Sequence, residues 1–268
     1  MIGRIGVLVL AGLLALAAPA LGQRANQAPL PPIPNDPVTH FYEDPRPEKL
    51  AGLLDTARTN RAPWEFYPPL VGFYAALFER HPEWIDKLLP ETFDGRLADT
   101  IAAAWRLSGR PPMAQSLRSR VDAAGHDPAL QTQLADLPER LADIRIMIPT
   151  HMDILWGAFF ATGDPVYIGK LIDFFSQMAN RSDQMALDIT AVTLAMTGGP
   201  KDVLQQIRAK YGDNILRAIL YASTAEWALL SNSRQHKIVA TTLDDWLGAH
   251  ANSAAARSLM AVRASSHR

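Results

Sequence analysis

The 268-residue chain contains no cysteine. That excludes a disulfide, a thiolate metal site, a thiol nucleophile and the lipid-modified cysteine of a bacterial lipoprotein. It also lacks an excess of either charge. Lys and Arg number 26 against 27 Asp and Glu, a net charge of −1, which gives no electrostatic footing for nucleic acid or an anionic membrane. Alternating Val-, Ile- and Thr-rich runs are nearly absent, so no strand is assigned. Long apolar runs are missing beyond the N-terminus. Those that remain, such as Ile154 to Ala161, have the length of a buried helix segment and fall short of the roughly 20 residues that cross a bilayer.

Catalytic and metal signatures are missing as well. The seven histidines stand at 40, 81, 126, 151, 236, 250 and 267. No two are four apart, and no HExxH occurs, so no metal and no cofactor is expected. No serine sits in GxSxG. Gly163 to Lys170 has the wrong spacing for a phosphate loop, with Leu171 where Ser or Thr would be needed.

What is present begins with a secretory signal pattern over residues 1–22. Arg4 supplies positive charge, Ile5 to Ala18 the apolar stretch, and Ala20-Leu21-Gly22 a small–x–small cleavage site, with Ala18-Pro19-Ala20 as the alternative. The expectation is an exported protein, periplasmic or secreted, without stable membrane insertion once the signal is removed. Residues 23–47 follow as a Pro-rich linker, including Pro29-Leu30-Pro31-Pro32-Ile33-Pro34, and such Pro density favours an extended tether. Residues 48–248 then read as one helical-repeat domain, and residues 249–268 as a frayed or disordered tail.

The helical reading rests on apolar periodicity near 3.6. Leu97, Ile101, Ala104 and Trp105 share a face, as do Tyr167, Leu171, Phe174, Phe175 and Met178, and as do Leu216, Ile219, Leu220 and Trp227. Between such runs one corner recurs: Ser108-Gly109-Arg110-Pro111, Thr162-Gly163-Asp164-Pro165 and Thr197-Gly198-Gly199-Pro200, with a looser Glu79-Arg80-His81-Pro82. Gly accepts the left-handed turn after a helix, and Pro suits the first position of the next. Asp127-Pro128 has the same N-cap-plus-proline form. The fold class expected is therefore all-α: stacked antiparallel helical hairpins in an irregular, α-solenoid-like array.

Setting Pro82 on Pro165 aligns Ala75 with Ala158, Trp84 with Tyr167, Ile85 with Ile168 and Leu88 with Leu171. Two of the intervals between corner prolines, 29 and 35 residues, lie near the roughly 34 of a tetratricopeptide repeat. Over about residues 64–211 the chain resembles the tetratricopeptide and Sel1-like helical-repeat families. Ala75, Ala158 and the corner prolines stand closest to that pattern, while its full Trp, Leu-Gly, Tyr, Ala, Phe and Pro set is not met in any one unit. The resemblance implies a curved face that holds a protein or peptide partner.

Candidate binding residues fall in two places. His151, Asp153, Trp156, Asp164 and Tyr167 gather around the corner at Gly163, where a polar site could end a hydrophobic wall. A structural reading accounts for the same acids, with Thr150 and Asp153 as a capping pair, Asp164 as the cap of the next helix, and Gly157 admitting a neighbouring helix closely. Trp64, Phe66, Tyr67 and Tyr74 open the first hairpin, either facing a partner or closing the end of the stack. The function expected is a protein- or peptide-binding scaffold in the cell envelope. Its competitors are an envelope-polymer hydrolase using acids such as Glu43, Asp153 or Asp164, and a passive structural protein. Asn180-Arg181-Ser182 matches a glycosylation sequon, with Ser182 equally usable as a helix cap.

Overall fold

The computed structural model describes residues 37–265 apart from 61, 63 and 201, so the signal pattern and most of the Pro-rich stretch lie outside the described residues. The all-α expectation holds. Twelve α-helices and several 3-10 turns occur among the described residues, with no strand beyond one isolated bridge. The chain divides into two compact units at the Asp164–Pro165 corner, where sequence periodicity suggested one continuous array over 48–248.

The first unit contains α1 (Leu53–Thr59), α2 (Tyr67–Arg80), α3 (Ile85–Leu88), α4 (Gly95–Leu107), α5 (Gln115–Ala123), α6 (Pro128–Leu134) and α7 (Pro149–Thr162). Its centre is the pair α2 and α7. Each is apolar on all sides and buried over almost its whole length, as an interior helix must be. They run antiparallel. A β-carbon on Gly72 would stand 1.8 Å from Ile154 O, and one on Gly157 1.8 Å from Pro69 O. The two backbones therefore touch where the glycines lie, as the sequence led us to expect of Gly157. α2 packs mainly on α7 and α4, with only lesser contact to the short helical turn that follows it. That is not the neighbour-to-neighbour stacking of a hairpin array.

Residues 37–47 depart from an extended tether. Val38 and Phe41 are buried, and the 3-10 turn Phe41–Glu43 packs on α7. The Phe41 ring meets Phe73 edge-on at 5.3 Å, and Tyr42 lies 5.2 Å from Phe159. Proline excludes helix here but leaves the two aromatic side chains free to anchor the segment.

The second unit contains α8 (Pro165–Ala179), α9 (Asp183–Met196), α10 (Val203–Ser233), α11 (Lys237–Ala249) and α12 (Ala254–Ser265). α10 is interrupted at Gly212, whose φ is 77°. α9 packs on α10 and α12, and α8 on α10, α11 and α12. The tail is not frayed over its described part. Ala255, Ala256, Leu259 and Val262 are buried, and Ala255 N donates to Asn180 Oδ1 at 3.0 Å. Small residues made this segment look featureless, yet they are what lets α12 sit closely on α9.

The corners divide. Gly163 is left-handed at φ 65° and α8 opens on Pro165, as expected. Gly109 and Gly198 also have positive φ, but Pro111 and Pro200 lie in loops before α5 and α10. Asp127 and Ser182 are N-caps, accepting from Leu130 N and Met185 N.

Candidate functional site

α4 ends at Leu107, and its final turn points Trp105 and Arg106 toward a surface cleft of about 700 Å³ in the first unit. Ser108 Oγ donates to Trp105 O at 2.6 Å, and left-handed Gly109 reverses the chain. An antiparallel bridge from Ser108 to Arg140 brings the segment at Glu139 beside this turn. α5 forms another wall, held to α4 by Leu117 and Val121 packed on Ala98.

Four arginines line the cleft, Arg106, Arg110, Arg118 and Arg140, against two acids, Asp122 and Glu139. Among the described residues none of the four is ion-paired to a carboxylate. Two are held in place by carbonyls instead. Arg106 Nη2 donates to Leu134 O at 2.9 Å and Arg110 Nη1 to Phe78 O at 3.2 Å. Arg110 Nε is buried with no hydrogen-bond partner. Gly109 makes room for Arg140, since a β-carbon there would meet Arg140 Nε at 3.3 Å.

Trp105 is equally fixed. Its Nε1 donates to Pro111 O at 2.8 Å, its ring lies 5.8 Å from Phe78, and the Arg110 guanidinium stands 5.7 Å over it. Such a stack orients a cation without neutralising it. Each guanidinium has five N–H donors, so one bond to a carbonyl leaves most of them available. Among the described residues the cleft lining has no hydroxyl or imidazole.

The residues singled out from sequence lie elsewhere. His151 is buried, with Nδ1 2.8 Å from Arg145 O, and burial lowers its pKa against the smaller upward pull of that hydrogen bond and of Asp136. It ties down the loop before α7. Thr150 and Asp153 are not a capping pair. The N-cap position is Ile148, Thr150 Oγ1 donates to Gln133 Oε1 at 2.9 Å, and Asp153 lies buried inside α7. Burial alone raises the Asp153 carboxyl to about 8. Pro149 already occupies the first helical position, which moves Asp153 past the first turn where capping operates. Trp156 is fully buried between Phe159 and Phe160, its Nε1 without a partner. Asp164 pairs with Arg80 at 2.7 Å.

Tyr167 is buried in the second unit. Trp64 is half-buried, whereas Phe66, Tyr67 and Tyr74 are core. Phe66 meets Tyr67 edge-on at 5.8 Å, and Arg96 lies 5.9 Å over the Tyr67 ring. Burial chiefly pushes the Tyr67 hydroxyl up to about 12, and it raises that of Tyr74 as well. Glu43, the hydrolase candidate in the 3-10 turn, is exposed and lies 3.0 Å from His40. Among the described residues no group of three His, Asp or Glu could hold a metal ion, and no helix is long and apolar enough to cross a membrane.

Two further polar clusters escaped sequence reasoning. His126 Nδ1 lies 2.7 Å from the buried carboxylate of Asp99, which also accepts from Asp127 N at 2.8 Å. Among the described residues no Ser or Thr hydroxyl bonds this imidazole. In the second unit Glu226 is fully buried. Its Oε1 lies 2.5 Å from Ser258 Oγ and its Oε2 2.6 Å from Thr193 Oγ1. Burial, opposed by these two hydroxyls, lifts its carboxyl to about 7. The cluster joins α9, α10 and α12.

The corner motif Ser108-Gly109-Arg110-Pro111 carried a usable signal for the cleft. It follows Trp105-Arg106 directly, so an indole and two guanidiniums fall within six residues. Arg118 and Arg140 gave none, because only the chain reversal brings them there. No protein-family model matches the chain, and no curated protein or solved structure matches it.

Proposed function

We propose that this is an exported helical binding protein that holds a protein or peptide partner in the cell envelope, with the cleft at the end of α4 as its binding site. One observation carries the reading: four arginines converge on one open cleft of about 700 Å³, and among the described residues none has a carboxylate partner. Arg106 and Arg110 are held by carbonyl anchors and an indole stack, and the four guanidiniums outnumber the two lining acids, so the cleft is positive on balance. A partner bearing anionic groups balances that charge on binding. Export rests on Arg4, the apolar run and the small residues at 20 and 22.

A photo-crosslinking residue in place of Met113, in the lining of the cleft, tests the site in the protein's own cells. Leu187, 62% exposed on α9, is the control position. The reading expects a discrete adduct from 113, none from 187, and loss of the adduct when Arg110 and Arg140 are both changed to Gln. Equal labelling at the two positions, or none at 113, overturns it. N-terminal sequencing of protein recovered outside the cytoplasm is expected to start at Gln23 or Leu21. Recovery of the intact Met1 form alone overturns export.

A further inference from the structure

The cleft is more specific than a positive patch. Its rim carries the guanidiniums of Arg106, Arg118 and Arg140, all exposed, while its floor is apolar and half-buried or buried: Ala102, Trp105 and Val121. Asp122 and Glu139 stand among the arginines. A compact, multiply charged phosphate fits this poorly. The two carboxylates repel it, and the apolar floor offers it nothing. Phosphate sites also use free backbone N–H groups, whereas Gly109 N already donates to Arg106 O at 3.2 Å and Ser108 N to Ala104 O at 3.0 Å.

Resting on the reading of the cleft as a partner site, we propose that its occupant is an acidic peptide segment of another protein. Carboxylates of that segment face Arg106, Arg110, Arg118 and Arg140, and an aliphatic or aromatic side chain between them seats on Trp105 and Val121. Spaced carboxylates match spaced guanidiniums, each able to grip a carboxylate through two parallel N–H donors. The apolar side chain fills the floor that anions alone leave wet. Asp122 and Glu139 then select against a uniformly acidic strand, because they favour a neutral or basic residue at two places along it.

The test uses the full secreted chain and a pool of labelled ten-residue peptides in which acidic positions alternate with aliphatic and aromatic ones. A second pool replaces every Asp and Glu by Asn and Gln. Inorganic phosphate and polyphosphate are the competitors. Saturable binding of the acidic pool is expected, at least tenfold tighter than the amide pool and weakening as salt rises. Arg118→Gln and Arg140→Gln change exposed side chains without described hydrogen bonds, so each tests charge with little risk to folding. Each is expected to weaken binding about tenfold, the scale of one charge-assisted contact.

Equal binding of both pools, no binding of either, or displacement by phosphate at the same ionic strength overturns the acidic-peptide assignment. If the 113 crosslink survives any of those results, the cleft still holds a partner and only its chemistry is wrong. If the crosslink is also absent, the binding reading itself falls.

Discussion

Glu226 gives the second unit an inverted response to pH. Counting protons shows why its neutral form fits. Thr193 Oγ1 donates to Oε2 at 2.6 Å and Ser258 Oγ donates to Oε1; a proton on Oε2 turns the first bond around, and Thr193 then donates to Ile189 O at 3.1 Å. Thr190 Oγ1, 2.6 Å from Ser258 Oγ, donates to Ala186 O at 2.9 Å. Every hydroxyl proton then has an acceptor. Among the described residues the carboxyl's hydrogen-bond partners are two hydroxyls, and no charged side chain shifts its pKa. Ionised Glu226 would be a buried charge with no counter-ion.

The folded carboxyl titrates at about 7 against an ordinary 4.5. Its folded pKa is raised, so the stabilisation is fully present below pH 4.5 and is lost as pH rises to about 7. With about 1.36 kcal/mol per unit, the loss approaches about 3 kcal/mol, or roughly 300-fold in the opening equilibrium. Glu226→Gln removes the titration but keeps a donor and an acceptor. Its extra N–H has a cost that does not depend on pH. Amide hydrogen exchange of α9 and α12, compared between the two proteins at each pH, cancels the intrinsic exchange rate. Protection in the native protein relative to the variant is expected to fall between pH 5 and 7 and then level off. A difference flat with pH, or native protection rising with pH, refutes the buried neutral acid.

How far the fold was legible depended on whether a signal was local. Helix class, the left-handed Gly163 and the caps at Asp127 and Ser182 are set by a few adjacent residues, and the sequence carries them. The partnership of α2 with α7 is not local. An alignment of Ala75 with Ala158 set these two helices at matching places in a repeat and carried no sign that they pack on each other. Apolar richness around His151 and Asp153 drew attention to a site, although a helix apolar on all sides is the mark of an interior helix, and its acid shares that burial. The arginine cleft was half visible in Trp105, Arg106 and Arg110. Its other half arrives through the Ser108–Arg140 bridge, which no periodicity encodes.

Asp153→Asn extends the pH reasoning to the first unit. Burial holds the folded carboxyl at about 8 against 3.8, so native stability is lost as pH rises from about 4 to 8, by up to about 6 kcal/mol. Urea denaturation is expected to show the variant overtaking the native protein as pH rises, and a native protein that gains stability over that range refutes the assignment. Gly163→Val places a β-branched residue at φ 65° and is expected to cost about 1–2 kcal/mol in the same assay. Gly157→Ala is the severer test of the α2–α7 pair. Its new methyl would stand 1.8 Å from Pro69 O and 3.0 Å from Phe73 N, and both are backbone atoms that no rotamer change can move. Relief requires the helices to separate along their length, opening voids beside Phe73 and Ile154. Overpacking of a core costs about 1–3 kcal/mol where side chains can yield; with backbone on both sides the expected loss is above about 3 kcal/mol, or no soluble protein. Gly169→Ala, with nothing within 4 Å of the added carbon, is the helical control and is expected to gain up to about 1 kcal/mol. Equal tolerance at 157 and 169 would mean that the two central helices do not cross at their glycines.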